Sequence, residues 1–347
     1  MILLGQVTDK LNIFLSYNYN TMKPVFHVFR VNGPFDDPAV FARILRERRA
    51  VLFDCGNISA LDTGHLLKIS DIFITHMHID HFIGIDLVIR AALRRVAPLR
   101  IYGPRDIVSC IEGKLKGYSW NLIREYPLKL DVFEINDAVV KHSGFYASDA
   151  FERMDLETSG FSSIILDDTL FKVKALQLTH DVPVIAYSLE EDYHININKA
   201  HLQSMGFEVG PWLSEFKKAI RRGAPDDMSF DFGGKTITLK EAMQIATITR
   251  GQKISYVTDV SPDEINISKI IEFVSGSDTL FCEAYFPDKE IERALERSHL
   301  TAALAGKIAR EAKVGNIEIM HISPKYIHSA DEIYSEVERE FKKGCDL

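Results

Sequence analysis

The chain has 347 residues, of which 46% are hydrophobic and 26% charged, and a net charge of −8. This is the balance of a globular protein long enough for one large domain or two ordinary ones. The negative sign weighs against broad non-specific binding to nucleic acid. No apolar run reaches the ~18 residues of a membrane span. The start (Met1-Ile2-Leu3-Leu4-Gly5) lacks the basic residues and long apolar stretch of a secretion leader. Cys55, Cys110, Cys282 and Cys345 are too scattered for a disulfide framework or a cysteine zinc knuckle, so a reducing cytoplasm is the expected setting.

Short strand signals fill the first half. Pro24 to Val31 alternates, and Asn32-Gly33-Pro34 breaks it, with Phe35-Asp36-Asp37-Pro38 extending the loop. Val40 to Leu45 and Ala50 to Asp54 read as a hairpin around Arg46-Glu47-Arg48. Ile72 to Thr75 is an apolar strand. Phe82 to Arg95 has helical spacing, with Ile85, Val88, Ile89 and Leu93 on one face. Further strands are expected at Asp131 to Ile135, Ser162 to Leu166, Leu170 to Leu178 and Val184 to Leu189.

Residues 194–235 are polar and punctuated by glycine and proline, which reads as an arm-like insertion in one 1–347 domain, not as core. Strands return at Ile254 to Thr258, Thr279 to Cys282 and Ile317 to Met320. Helices are expected at about 264–275, 287–297 and 299–313. Ser329-x-x-Glu332 has the pattern of a capping box at the start of a terminal helix. Strands then helices, twice over, suggest two packed sheets with helices outside.

The densest chemistry is His76-Met77-His78-Ile79-Asp80-His81, directly after the apolar run at 72–74. Imidazole nitrogens and carboxylate oxygens are ligands for zinc and its neighbours. In an extended segment His76 and His78 point to one side, and Asp80 and His81 follow where the chain can curl around an ion. A two-metal site needs more ligands, and three more strand runs end in one: His180 after Ala175 to Thr179, Asp259 after Ile254 to Thr258, and His321 after Ile317 to Met320.

This set resembles the metallo-β-lactamase superfamily, whose H-x-H-x-D-H signature is intact at 76–81. The resemblance implies an α/β fold, a four-layer αββα sandwich with the metals along one edge. It also implies a ligand division: His76, His78 and His180 on one ion, Asp80, His81 and His321 on the other, and Asp259 bridging. The flanks narrow the match to the ribonuclease Z-like branch: Thr75 to Gly84, His180 to Tyr187, Phe281-Cys282-Glu283-Ala284, Ser298-His299-Leu300-Thr301-Ala302 and Met320 to Tyr326. The order and spacing agree from Leu52 to Tyr326.

What the resemblance implies is a metal-dependent hydrolase of phosphodiester bonds, an endoribonuclease directed to precursor transfer RNA 3′ ends. Two divalent ions are expected, zinc first, with manganese and iron open. Asp80 would ligate and orient the nucleophile, and His299, held by Glu283, would protonate the leaving oxygen. The insertion would be an RNA-gripping arm, with Gly210-Pro211-Trp212 at its characteristic motif. Lys217, Lys218, Arg221 and Arg222 would be phosphate contacts. A homodimer is expected on the same grounds.

Two departures stand against this reading. The loop at 32–38 lacks the branch's usual opening motif, and the arm lacks the usual spread of glycines after Gly-Pro. Two alternatives stay open: a hydrolase of a small phosphodiester on the same centre, which the altered loop and the acidic balance favour, and a non-catalytic RNA-binding protein, which the complete ligand set counts against.

Overall fold

The computed structural model describes residues 24–45, 47–179 and 182–344. The leader reading at 1–5, Arg46, His180 and Cys345 lie outside the described residues.

Eight strands form the first sheet, side by side in chain order: β1 (Phe26–Arg30), β2 (Val40–Ile44), β3 (Ala50–Phe53), β4 (Ile69–Phe73), β5 (Leu99–Pro104), β6 (Lys129–Asn136), β7 (Val139–Tyr146) and β8 (Arg153–Gly160). The expected hairpin is β2 and β3, paired antiparallel. β3 to β6 run parallel. Parallel strands are covered on both faces, which is why β4 is buried at all five residues. Its one carboxylate, Asp71, is balanced by Arg100 from the neighbouring strand (Nε to Oδ1 2.6 Å) and by the Ser70 hydroxyl.

Helices cover the outer face. The expected helix over 82–95 is broken in two: a single turn, α1 (Ile79–Phe82), then α2 (Ile85–Ala92) after Gly84. Ile85, Val88, Ile89 and Ala92 of α2, with Ile107, Val108, Ile111 and Leu115 of α3 (Ile107–Lys116), pack on Leu52, Ile72, Ile101 and Val132. Each large aliphatic side chain buried there contributes roughly 1.5–3 kcal/mol. The break has a cause. A Cβ on Gly84 would collide with the carbonyl oxygen of Gly56, and one on Gly56 with the carbonyl oxygen of Asp80. The metal-type motif is clamped against the loop after β3 by two residues that have no side chain.

The second sheet starts with β9 (Ile164–Asp167), β10 (Lys172–Leu178) and β11 (Val184–Glu190). The chain then passes through β12 (Tyr193–Ile197), β13 (Ser229–Phe232), β14 (Lys235–Thr238) and β15 (Ala246–Arg250). It returns as β16 (Lys253–Val257), β17 (Thr279–Glu283) and β18 (Ile317–Met320), in the sheet order β18-β17-β16-β11-β10-β9. Its outer face carries Ile270 and Val274, Ala305, Ile308 and Ala309, and Ile333 and Val337 from the three following helices, packed on Val257, Leu280, Cys282 and Ile319. Helix, sheet, sheet, helix is the expected αββα sandwich.

Aromatic side chains fill the space between the sheets. Register places Phe53, Phe73, Tyr102, Phe133 and His142 in one row across β3 to β7. The rings stack at 5.5, 4.9, 4.6 and 4.4 Å between centroids. From the other sheet Tyr256 meets Phe53 at 5.7 Å, Tyr187 meets Phe73 at 5.5 Å, and the Tyr187 hydroxyl donates to the Ile74 carbonyl (2.7 Å).

The described chain forms two compact units. The larger comprises the described residues of 25–165, 173–189 and 253–347; the smaller includes those of 166–172 and 190–252. Residues 194–235, polar on average, fall in the smaller unit, which has an apolar core of its own: Leu202, Phe207, Trp212, Phe216, Phe230, Ile237 and Ile245. The average hid an amphipathic helix, α4 (Trp212–Arg221), which buries Trp212, Leu213, Phe216 and Ala219 at helical spacing.

Two other elements depart from expectation. β8 carries no strong strand signal, because it is exposed along almost its whole length. The capping box at Ser329 is not formed: Ser329 sits at φ −132°, ψ 31°, makes no side-chain cap, and Glu332 turns to Lys289 instead (2.6 Å).

Gly84→Ala should lower the unfolding free energy by about 1–3 kcal/mol through overpacking against backbone. An unchanged urea midpoint would show that the clamp on the motif is slack.

Candidate metal centre

Four strands end at one edge of the sandwich, just beyond the aromatic layer. Phe53 leads to Asp54, Phe73 to Thr75 and His76, Tyr256 to Thr258 and Asp259, and Met320 to His321. Asp54, Asp259 and His321 all adopt left-handed backbone, at φ 52°, 53° and 50°. Such a residue turns the chain sharply as the strand runs out, at a cost of about 1–3 kcal/mol unless the surroundings hold it. Asp and His tolerate this region better than most side chains.

Asp259 is the hub. It is buried, and its oxygens lie 3.1 Å from His81 Nε2, 3.2 Å from His321 Nδ1, 3.7 Å from His299 Nδ1 and 4.0 Å from His76 Nε2. Asp80 Oδ2 lies 3.4 Å from His321 Nε2 and 3.6 Å from His81 Nε2. Among the described residues, three overlapping groups bring ligand atoms within 4.8 Å of one another: His76, His81 and Asp259; Asp80, His81 and His321; and Asp259, Glu283, His299 and His321.

His78 joins through its ring, edge-on to His76 at 4.3 Å, and sits outside those three groups. The structure therefore brings together His76, Asp80, His81, Asp259 and His321 of the expected ligands, with Glu283 and His299 beside them. His180 lies outside the described residues.

The donor set fits a divalent cation. His81 Nδ1 donates to Asp54 Oδ2 (2.8 Å), which fixes the tautomer and leaves the buried Nε2 as a lone pair. That lone pair faces a carboxylate oxygen of Asp259 at 3.1 Å. Two acceptors in such proximity need a positive charge between them, either a proton or a metal ion.

The electrostatics agree. Burial opposes charge on His81, yet Asp259 and Asp54 outweigh it and raise its pKa to about 10. Burial likewise opposes charge on His321, and Asp259, Asp80 and Glu283 overcome it, so its pKa is also raised. Asp259, despite burial, is held well below the usual carboxylate range by His321 and His81. Asp80 is lowered to about 2, with burial outweighed by His321 and His81.

No protein-family model matches the chain. It is 25% identical to a ribonuclease Z of Deinococcus radiodurans over 281 residues, covering 80% of this chain and 83% of that one. It is 28% identical to a ribonuclease Z of Nanoarchaeum equitans over 293 residues, 82% and 78% of the two chains. The chain thus resembles ribonuclease Z over most of its length, and its fold is that of the metallo-β-lactamases. Two solved structures share that fold. One is the metallo-β-lactamase fold protein YhfI of Bacillus subtilis, with a TM-score of 0.51 and 16% identity over 91% of this chain and 92% of that one. The other is the short form of human tRNase Z, with a TM-score of 0.52 and 18% identity over 86% and 93%.

Glu283 and His299 form a hydrogen-bonded pair. His299 Nδ1 donates to Glu283 Oε2 at 2.7 Å, while Glu283 Oε1 accepts from the backbone N–H groups of Val260 (3.0 Å) and Leu300 (3.2 Å). Burial works against the Glu283 charge, but His299 holds its pKa down.

Sequence reasoning missed three hydroxyl side chains that brace the ligands. The Thr75 hydroxyl lies 3.1 Å from His76 Nδ1 and donates to Asp54, and the Thr258 hydroxyl donates to Asp259 Oδ2 (2.7 Å). The signal was present: a threonine immediately precedes His76, His180 and Asp259. Tyr256, whose hydroxyl donates to Asp54 Oδ2 (2.8 Å), had no such signal.

The four basic residues of 217–222 are largely engaged within their own unit. Lys217 donates to the Ile195 carbonyl (2.5 Å), Lys218 pairs with Glu215 (2.9 Å), and Arg221 pairs with the buried Glu191 (2.9 Å).

Asp54 is fully buried and serves His81, Thr75 and Tyr256 at once. Asp54→Asn should weaken divalent metal binding by roughly 10–100-fold, the usual effect of losing a carboxylate behind a ligating histidine. Competition with a zinc chelator measures it, and unchanged affinity would remove Asp54 from the centre.

Proposed function

We propose that this chain is a metal-dependent phosphodiesterase of the ribonuclease Z kind, an endoribonuclease that cuts precursor transfer RNA at its 3′ side. The observation that carries this reading is the Glu283–His299 pair, a hydrogen-bonded acid–base dyad 3.7 Å from the hub carboxylate of a ligand cluster. The relatives at 25–28% identity over most of the chain point the same way.

His76, His78 and His180 would hold one ion, Asp80, His81 and His321 the other, and Asp259 both; imidazole and carboxylate donors suit zinc. Bound there, two divalent ions supply Lewis acidity toward a phosphoryl oxygen and lower the pKa of water toward neutrality. The remaining work belongs to side chains. Asp80 stays ionised to a pH of about 2, so it is an acceptor able to orient the attacking water. As the water oxygen gives up a proton to solvent and bonds to phosphorus, and the bond to the leaving oxygen breaks, that oxygen takes the Nε2 proton of imidazolium His299. The ring is left neutral, its Nδ1–H still donating to Glu283.

The proposal includes a cytoplasmic homodimer. Cys55, Cys110 and Cys282 are free thiols, and no helix among the described residues is long and apolar enough to cross a membrane. Ile79, Ile83 and Leu87, four apart, leave an exposed apolar stripe beside the motif that suits a second copy.

A second reading keeps the centre and replaces RNA by a small phosphodiester. The internal engagement of Lys217, Lys218 and Arg221 favours it, as does the acidic loop at 32–38.

The test is to incubate the zinc-loaded or manganese-loaded chain with a precursor transfer RNA and, separately, with bis(p-nitrophenyl) phosphate. Cleavage of the RNA at one site supports the first reading; cleavage of the ester alone sinks it in favour of the second. His299→Ala should reduce kcat on the cleaved RNA by roughly 10²–10⁴-fold with bound metal unchanged. Loss of metal from that variant would make His299 a ligand instead.

A further inference from the structure

We propose that Tyr285 is a positioning residue for His299, one that fixes the plane of the imidazole; this rests on the reading of His299 as the proton donor. The Tyr285 and His299 rings lie face to face, with centroids 3.9 Å apart and planes 7° from parallel. Tyr285 also presents its ring edgewise to His321 at 5.1 Å.

The placement is built into the backbone. The Tyr285 N–H donates to the Leu300 carbonyl (3.0 Å), the Ala302 N–H donates to the Phe286 carbonyl (2.8 Å), and Phe286 and Thr301 form a parallel bridge. On the other side the Ser323 N–H donates to the Tyr285 carbonyl (3.2 Å). Tyr285 is thus fastened between the segment that carries His299 and the segment that follows His321.

The need for such a residue follows from geometry. The hydrogen bond from Nδ1 to Glu283 fixes one point of the His299 ring, and one such bond by itself does not set the plane of a ring. In a tilt of that plane Nε2, at the far side of the ring, would sweep widest. A parallel ring at van der Waals distance blocks that tilt, and Glu283 and Tyr285 together leave Nε2 one direction. Misplacing a reacting atom by ~1 Å can cost about 10²-fold in rate.

A residue that only packs would behave differently. Tyr285 is half-buried against the second-sheet core, so its removal could loosen the region and lower every rate alike. A residue that aims a proton donor matters in proportion to how badly the leaving oxygen needs the proton.

The experiment uses the full zinc-loaded chain and thymidine 5′-monophosphate aryl esters, with leaving groups from p-nitrophenolate to the more basic phenolate. For wild type, Tyr285→Phe, Tyr285→Leu, Tyr285→Ala and His299→Ala, kcat, KM and bound metal are measured. Tyr285→Leu keeps bulk in the core if the alanine variant folds poorly.

Tyr285→Leu and Tyr285→Ala should lower kcat on the phenyl ester by roughly 10–100-fold and on the p-nitrophenyl ester much less, with KM and metal unchanged. Tyr285→Phe should match wild type. An equal loss across the series, a change in KM alone, wild-type rates in the leucine variant, or a phenylalanine variant as poor as leucine would each overturn the proposal. If His299→Ala keeps wild-type rates, or wild type hydrolyses none of the esters, the underlying reading falls and this inference with it. A fall in His299→Ala without one in Tyr285→Leu defeats the positioning role alone.

Discussion

A single buried carboxylate organises this molecule. Asp259 sits at the end of a central strand in left-handed backbone, and His76, His81, His321 and His299 converge on it from two other strand ends, a helical turn and the segment before a helix. A carboxylate out of water is costly unless opposite charge or hydrogen bonds surround it. Here the opposition is supplied by imidazoles that must themselves be charged or face a cation. That frustration is local and would be relieved by a divalent ion, which is why the site reads as a metal centre and not as a buried ion-pair network.

The rest of the fold holds that convergence in place. Stacked aromatic rings between the sheets include Phe53, Phe73 and Tyr256 at or next to the last residue of their strands, and Asp54, His76 and Asp259 follow within one to three residues of them. Behind the ligands, Asp54 ties one sheet to the other: it accepts from His81 and Thr75 on the first and from Tyr256 on the second. Glycines at 56 and 84 let the motif loop close against the loop after β3. The strain of three left-handed residues is supported by this density of contacts.

Much of the centre was legible because ligand-type residues closing apolar strands leave a mark in sequence, and four such closures in one chain are hard to read otherwise. The αββα layering followed from the alternation of strand and helix runs. What stayed hidden has physical reasons. β8 is exposed at almost every residue, so no burial pattern marks it. The core of 190–252 rests on a few aromatic residues diluted among polar ones. The Ser329 cap depended on a backbone angle that sequence does not fix. The ring stack of Tyr285 on His299 joins residues that only a parallel bridge brings side by side.

The central claim is that Asp259 is shared by two ions. Metal content of the purified, zinc-loaded and dialysed chain, measured by elemental analysis beside that of Asp259→Asn, tests it directly. Asparagine keeps the shape and tolerates left-handed backbone, so the fold should survive. The account predicts two zinc ions per wild-type chain and a clear loss in Asp259→Asn. One ion or none in the wild type, or two retained by the variant, would contradict it.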